Sequence, residues 1–247
     1  MKIIGVYNIK GGVGKTAAAV NLAHLAARAG RRTLIWDLDP QAAATFYFRV
    51  KPRIKGGSRK LLRGQRDLDR LIKGTDYANL DLLPADFSYR NMDLQLSAAK
   101  RPGLQLQRLL RQLSAEFDYL FLDCPPSISL LSENVFRAAD ALLIPTIPTT
   151  LSVRTYEQLQ RFIQDNGIDG VKRLPFFSMV DRRKRMHLDI LETMPKKFPE
   201  LLATEIPYAA EIEQMGIYRQ PLFGYVASGS GAASAYRALW QEVRRVI

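Results

Sequence analysis

The chain has 247 residues, with 36 Lys and Arg against 24 Asp and Glu, and its formal net charge of +12 points to a polyanionic partner rather than to any particular fold. One cysteine, Cys124, excludes an intramolecular disulfide and fits a reducing, cytoplasmic setting, while two isolated histidines, His24 and His187, offer no zinc cluster. The N-terminal apolar run is too short for a signal peptide, no segment approaches a membrane span, and the length suits one α/β domain over residues 1–247.

Ile3-Ile4-Gly5-Val6-Tyr7 reads as a buried strand. It runs into Lys10-Gly11-Gly12-Val13-Gly14-Lys15-Thr16, and Thr16 to Arg28 then reads as an Ala-rich helix. A glycine-rich loop between a strand and a helix cradles phosphate with backbone N–H groups and the positive end of the helix. Lys15 is expected to reach the terminal phosphates, and Thr16 to offer its hydroxyl to Mg²⁺. Lys10 is an extra cation on the strand side of the loop.

Arg32-Thr33-Leu34-Ile35-Trp36 is the next expected strand, ending in Asp37-Leu38-Asp39-Pro40-Gln41. A basic stretch follows, with Arg49, Lys51, Arg53, Lys55, Arg59, Lys60, Arg63 and Arg66 and no acid among them; Gly56-Gly57-Ser58 inside it suggests an exposed, mobile loop. Tyr119-Leu120-Phe121-Leu122-Asp123 is an apolar strand that delivers a carboxylate to a metal through water, and Cys124-Pro125-Pro126-Ser127 continues it as a stiffened loop. Further strands are expected at Ala141–Pro145 and Pro175–Val180, with a short one before Ile206-Pro207. Arg182-Arg183-Lys184-Arg185 forms a second basic cluster. Lys and Arg clusters release counterions from nucleic acid, giving sequence-independent and salt-sensitive affinity, but such runs also simply solvate a surface. Tyr236 to Ile247 has helical apolar spacing and reads as the last helix packing on the sheet, with a membrane-surface role as the alternative. Alternation of strands and helices predicts a mainly parallel, twisted sheet covered by helices on both faces, with ligands beyond the strand carboxyl ends.

The loop matches K-G-G-x-G-K-[ST], and with Asp-Leu-Asp-Pro-Gln and Asp-Cys-Pro-Pro-Ser it resembles the ParA/MinD-type deviant Walker A ATPases, closest to the small ParA-like partition and positioning ATPases. The resemblance spans nearly the whole chain and implies ATP with Mg²⁺. Gly11, Gly12, Val13, Gly14, Lys15, Thr16 and Ala17 would hold the phosphates; Thr16, Asp39 and Asp123 would serve the metal. Lys10 would cross a homodimer to the partner's ATP, and Asp39 would position the attacking water. Pro207 and Ala209 fall where the family contacts adenine, though Ala209 stands where Asn is common and offers only its backbone. Arg183 falls on a family DNA-contact position, so Arg182, Arg183, Lys184 and Arg185 are expected to meet non-specific duplex DNA. A second family arginine falls near Glu211, and Arg219 is the candidate substitute. The implied behaviour is an ATP-sandwich dimer on the nucleoid, released from DNA when a cargo-linked partner stimulates slow hydrolysis, with no separate helix-turn-helix domain ahead of the loop. A MinD-like membrane-associated ATPase, a metabolic ATP-dependent ligase of the same fold and a non-catalytic ATP-switched scaffold are the competing classes.

Overall fold

A computed structural model describes residues 1–63, 68–227 and 229–247. Its strands are β1 (Lys2–Val6), β2 (Thr33–Asp37), β3 (Lys73–Gly74), β4 (Leu80–Leu83), β5 (Tyr119–Asp123), β6 (Ala141–Thr146), β7 (Lys172–Val180) and β8 (Glu205–Pro207). Its helices are α1 (Lys15–Arg28), α2 (Ala43–Tyr47), α3 (Gly57–Leu62), α4 (Met92–Ser97), α5 (Gln105–Leu110), α6 (Leu130–Ala138), α7 (Thr150–Asp165), α8 (Arg185–Lys197), α9 (Ala210–Glu213), α10 (Met215–Tyr218) and α11 (Gly231–Val246). The strands form one eight-stranded sheet in the order β3-β4-β2-β5-β1-β6-β7-β8. Each neighbouring pair is parallel except β3 with β4.

The central strands are apolar along their whole length because both faces are covered. Leu120 and Leu122 of β5 pack into one core with Leu131, Val135 and Phe136 of α6. Phe121, between them, points to the other core, with Ala19, Leu22 and Ala23 of α1 and Tyr236, Leu239 and Trp240 of α11. Gly5 lets α6 approach β1: a Cβ there would lie 2.9 Å from Leu142 Cδ2 and Val135 Cγ1.

The fold class agrees with the mainly parallel, doubly covered sheet expected from the sequence, and several element bounds are corrected. Ile206 and Pro207 lie within the last strand rather than after it. Strand β7 starts at Lys172, well before the apolar run, because pairing with β6 extends through the exposed Lys172 and half-buried Arg173. Strands β3 and β4 carry too little apolar pattern to be seen in the sequence.

The supposed mobile loop at Gly56-Gly57-Ser58 is instead an anchored helix start. Gly56 and Gly57 adopt φ of 97° and 64°, and the fully buried Ser58 donates its backbone N–H to Ser88 Oγ at 2.7 Å and its hydroxyl to Ser88 O at 3.0 Å. Arg66, the last member of that basic stretch, lies outside the described residues.

Near the N-terminal half, buried His24 on α1 meets Tyr77 edge-on at 4.8 Å and stacks on Phe223 at 5.7 Å. Burial first, and the nearby Arg28 second, lower its pKa from 6.5 to about 4. Below the unfolded value the unfolded chain takes up a proton that the folded imidazole refuses. Stability is therefore lost as pH falls from 6.5 towards 4 and is unaffected by this group above that window. Replacing His24 with Phe is expected to flatten the fall in thermal stability between about pH 7 and pH 5 by about 2 kcal/mol. Thermal melts across that range check it; an unchanged slope contradicts the assignment.

Candidate functional site: a phosphate loop above two buried aspartates

The loop between β1 and α1 is shaped by its glycines. Gly12 and Gly14 have φ of 69° and 91°, and a Cβ on Gly14 would lie 2.8 Å from Ser178 Oγ, so both backbone conformation and space exclude a larger residue there. The loop is tied down at its strand side. Asn8 is buried, donates from Nδ2 to Pro145 O at 2.8 Å, and accepts the Lys10 backbone N–H on Oδ1 at 2.9 Å. Lys15 folds back over the loop and donates from Nζ to Lys10 O at 3.0 Å. Burial lowers the Lys15 pKa, while Asp123, Cys124 and Asp39 oppose that shift by stabilising its charge.

Beneath the loop, β2 and β5 end side by side, and their register sets Asp37 opposite Asp123. Both carboxylates are buried, but they are treated differently. Asp37 Oδ2 accepts the Thr45 backbone N–H at 2.8 Å and its hydroxyl at 2.7 Å, while Oδ1 accepts the Asp39 N–H at 3.2 Å. Burial still raises its pKa to about 6 despite the Thr45 bonds. Asp123 has neither oxygen hydrogen-bonded among the described residues. Burial first and the facing Asp37 second push its pKa well above the usual carboxylate range, with Thr16 and Lys15 pulling it back. Asp39, partly exposed beyond the strand, accepts the Gln41 N–H on Oδ1 at 2.9 Å.

A cavity of about 320 Å³ runs from Gly11, Gly12, Gly14, Lys15, Thr16 and Ala17 to Met179, Pro207, Tyr208 and Ala209, with Asp39, Tyr47 and Pro126 also on its walls. The structure thus brings the phosphate loop, Asp39 and the two residues expected near a base into one space. The Val13 side chain is buried and does not line that cavity. Sequence reasoning passed over Asn8, Asp37 and Tyr47. Asp37 was readable as the first carboxylate of the Asp-Leu-Asp run, but its partnership with Asp123 exists only through the β2–β5 register.

A magnesium ion fits this donor set. Among the described residues no group of three or more His, Cys, Asp or Glu side chains gathers as a metal cage. Mg²⁺ seldom uses such a cage: it keeps waters and binds through one or two carboxylates plus substrate phosphates. The unpartnered Asp123 carboxylate beside Thr16 supplies what such an ion lacks.

The basic cluster after β7 is more engaged than its sequence implied. Arg182 Nη2 donates to Glu205 at 2.7 Å, Arg185 Nε to Asp189 at 3.1 Å, and Arg183 to both oxygens of Asp181 at 2.8 and 2.9 Å. The Arg183 fork holds Asp181 down to about pKa 2. All three guanidinium groups stay largely exposed. Arg219, with φ of 50°, stacks on Phe46 at 4.4 Å and lies apart from that cluster, against α2. Glu211 accepts the Ser230 hydroxyl at 2.9 Å, so the position aligned with a family arginine is here tied internally.

The strand–loop–helix and the paired strand-end carboxylates define an α/β protein of the P-loop nucleotide-binding class. A family model described as an AAA domain, AAA_31, matches residues 1–169. The chain is 31% identical over 252 residues to the sporulation initiation inhibitor protein Soj of Bacillus subtilis, covering 98% of each chain. Cobyrinic acid a,c-diamide synthase from Mycobacterium smegmatis, solved with an ATP analogue and magnesium, superposes with a TM-score of 0.82 at 27% identity, over 99% of this chain and 95% of that one. A putative plasmid partition protein of Borrelia burgdorferi bound to AMPPNP shares the fold with a TM-score of 0.86 at 23% identity, over 100% of this chain and 99% of that one. The chain belongs to the ParA/Soj family of P-loop ATPases.

A buried carboxylate without partners destabilises the nucleotide-free protein once it is ionised. Because folding raises its pKa, that penalty sets in as pH rises above the unfolded value and grows until the folded pKa is passed. Asp123→Asn is therefore expected to stabilise the nucleotide-free protein at neutral pH by about 1–3 kcal/mol while abolishing Mg²⁺-dependent retention of ATP. Denaturant melts and nucleotide titrations with and without Mg²⁺ check both halves. A variant that is destabilised and still binds ATP through Mg²⁺ contradicts the reading.

Proposed function

We propose that this chain is an ATP-dependent partition or positioning ATPase that forms an ATP-sandwich homodimer, binds duplex DNA without sequence preference, and leaves it when a cargo-linked partner stimulates hydrolysis. Lys10 carries the reading. Its backbone is held at both ends, by Asn8 and by Lys15, while its side chain is exposed and pairs with no described acid. A cation mounted this way at the head of the phosphate loop would be free to meet a group outside its own subunit, and a second copy bringing its own triphosphate fits that role.

Within one subunit, Lys15 and the loop N–H groups would bind the phosphates of ATP, and Thr16, Asp39 and Asp123 would hold the Mg²⁺ that supplies further charge neutralisation. Asp39, partly exposed beyond its strand end, would orient the attacking water. The loop from Asp123 through Pro125 and Pro126 would register the terminal phosphate, since Pro126 lines the cavity. Pro207 and Ala209 would flank the base. Arg183, with Arg182, Lys184 and Arg185, and separately Arg219, would meet DNA phosphates, placing the ATP form on the nucleoid in the cytoplasm. The net charge of +12 supports a polyanionic partner over a small-molecule ligase reaction. The membrane alternative loses support at the C-terminus. There the apolar stripe of α11, Tyr236, Leu239, Trp240 and Val243, is buried against the sheet, and no described helix is long and apolar enough to cross a membrane.

Sedimentation of the protein with ATP and with ADP tests the dimer. Wild type is expected to dimerise with ATP alone, and Lys10→Ala to remain monomeric while still binding ATP; an ATP-driven dimer of Lys10→Ala would falsify the role of Lys10. Binding of the ATP form to unrelated duplexes across a salt series tests the surface. Affinity should fall steeply with salt for every sequence, and Arg183→Glu should weaken binding and reduce the salt slope by about one. Equal affinity and slope in that variant would remove Arg183 from the footprint.

A further inference from the structure

On the side of the molecule built by α3, α4 and α5 lies a groove of about 480 Å³ that shares no residue with the nucleotide cavity. Its lining is mixed: Leu62 from α3, Leu94 from α4 and Leu109 from α5 lie among Gln95, Gln105 and Gln112. Leu94 is 74% exposed, Leu62 is half-buried and Leu109 is buried, so Leu94 is the leucine the groove offers to solvent. Three guanidinium groups line the same groove: Arg59 and Arg63 at the end of α3, and Arg108 on α5. All three are exposed, and no described acid pairs with them.

Arginines without acid partners beside an exposed leucine suit an occupant that is acidic and partly apolar. A nucleic-acid backbone would use the arginines but has nothing to place on the leucines. An amphipathic helix with leucine-like anchors and flanking carboxylates would use both, and arginine forks match carboxylates well.

Both α4 and α5 are hydrogen-bonded to α6. Asp93 of α4 accepts the Leu131 N–H on Oδ1 at 2.8 Å in the first turn of α6. Asn134 of α6 is fully buried; its Oδ1 accepts the N–H groups of Gln105 and Leu106 at 2.9 and 3.2 Å, and its Nδ2 donates to Pro102 O at 2.8 Å. The N-cap of α6 is Ser129, only three residues beyond Pro126 on the wall of the nucleotide cavity. The groove helices are thus fastened to the helix that the phosphate-sensing loop runs into.

We propose that the groove docks an acidic, amphipathic helix of a partner protein, and that its occupancy is coupled through α6 to the nucleotide-bound state. The coupling rests on the ATPase reading above; the docking chemistry does not.

The probe is a labelled synthetic helix of about four turns with leucines on one face and glutamates beside them, compared with a twin carrying lysines in place of the glutamates. Binding is followed by fluorescence anisotropy to the full chain in the nucleotide-free, ADP and ATP forms. The glutamate helix is expected to bind and the lysine twin not to bind. Arg108→Glu and, separately, Leu94→Ser should each weaken binding at least about tenfold. Both side chains are solvent-exposed, and ATP titration confirms that each variant remains folded. Failure of the glutamate helix to bind, or equal binding of the two helices, overturns the docking surface. So does a normal affinity in both variants. Loss of duplex-DNA affinity in Arg108→Glu with peptide binding intact would instead make this a DNA surface, and loss of self-association would make it a contact between copies; either overturns the proposal. Linkage requires the peptide affinity to differ between the ADP and ATP forms if the coupling holds. Equal affinities overturn the coupling. Failure to bind ATP at all would sink the ATPase reading while leaving the nucleotide-free peptide result to be judged by itself.

Discussion

Two carboxylates that cannot both be comfortable hold the logic of this molecule. The parallel register of β2 and β5 sets Asp37 and Asp123 side by side at the sheet's carboxyl edge, both out of water. Asp37 is satisfied by Thr45 and the Asp39 backbone; Asp123 has no close hydrogen bond among the described residues and is only partly compensated by nearby Thr16 and Lys15. A fold does not keep an orphaned buried carboxylate for stability, since replacing it with an uncharged group relieves a desolvation penalty. The residue fits the proposed site, in which Asp123 would help hold a divalent cation that supplies the missing positive charge.

The rest of the architecture sets complementary charges around these two carboxylates. Gly12 and Gly14 bend the loop so that α1 begins at Lys15, and Lys15 bridges back to the Lys10 carbonyl. That bridge couples the two lysines mechanically. Lys15 belongs to the subunit's own pocket, while the backbone it grips carries the outward-facing Lys10. A change in what Lys15 binds therefore has a short path to the group proposed to reach the second subunit. On the other side, the Asp123 strand continues through two prolines into α6, so the same charge site also has a stiff connection to the helices of the α3–α5 face.

Much of this was legible in the sequence because the informative residues sit at strand ends, where apolar runs stop abruptly at a glycine loop or a carboxylate. The phosphate loop, Asp39 and Asp123 were all placed by that pattern together with the family resemblance. Asp37 was visible as a letter but not as a partner, since pairing across β2 and β5 is a tertiary fact. Strand β4 was hidden because Leu80–Leu83 is short and interrupted by Asp81. The basic stretch from Arg49 misled for a different reason. Paired glycines usually mark a free loop, but here their positive φ values start a helix pinned by Ser58 to Ser88, across 30 residues of sequence. The arginines after β7 likewise read as a bare charge run, because Glu205, the acid that answers Arg182, arrives from β8.

The most direct measurement is a carboxyl-carbon NMR titration of aspartate-labelled protein, with Asp123 assigned by its Asn variant, in the nucleotide-free and Mg²⁺·ATP forms. Asp123 is expected to titrate above the ordinary carboxylate range when free and to fall to or below that range when metal and nucleotide are bound. An ordinary titration in the free protein, unchanged by Mg²⁺·ATP, would mean that Asp123 is neither strained by burial nor completed by the ligand.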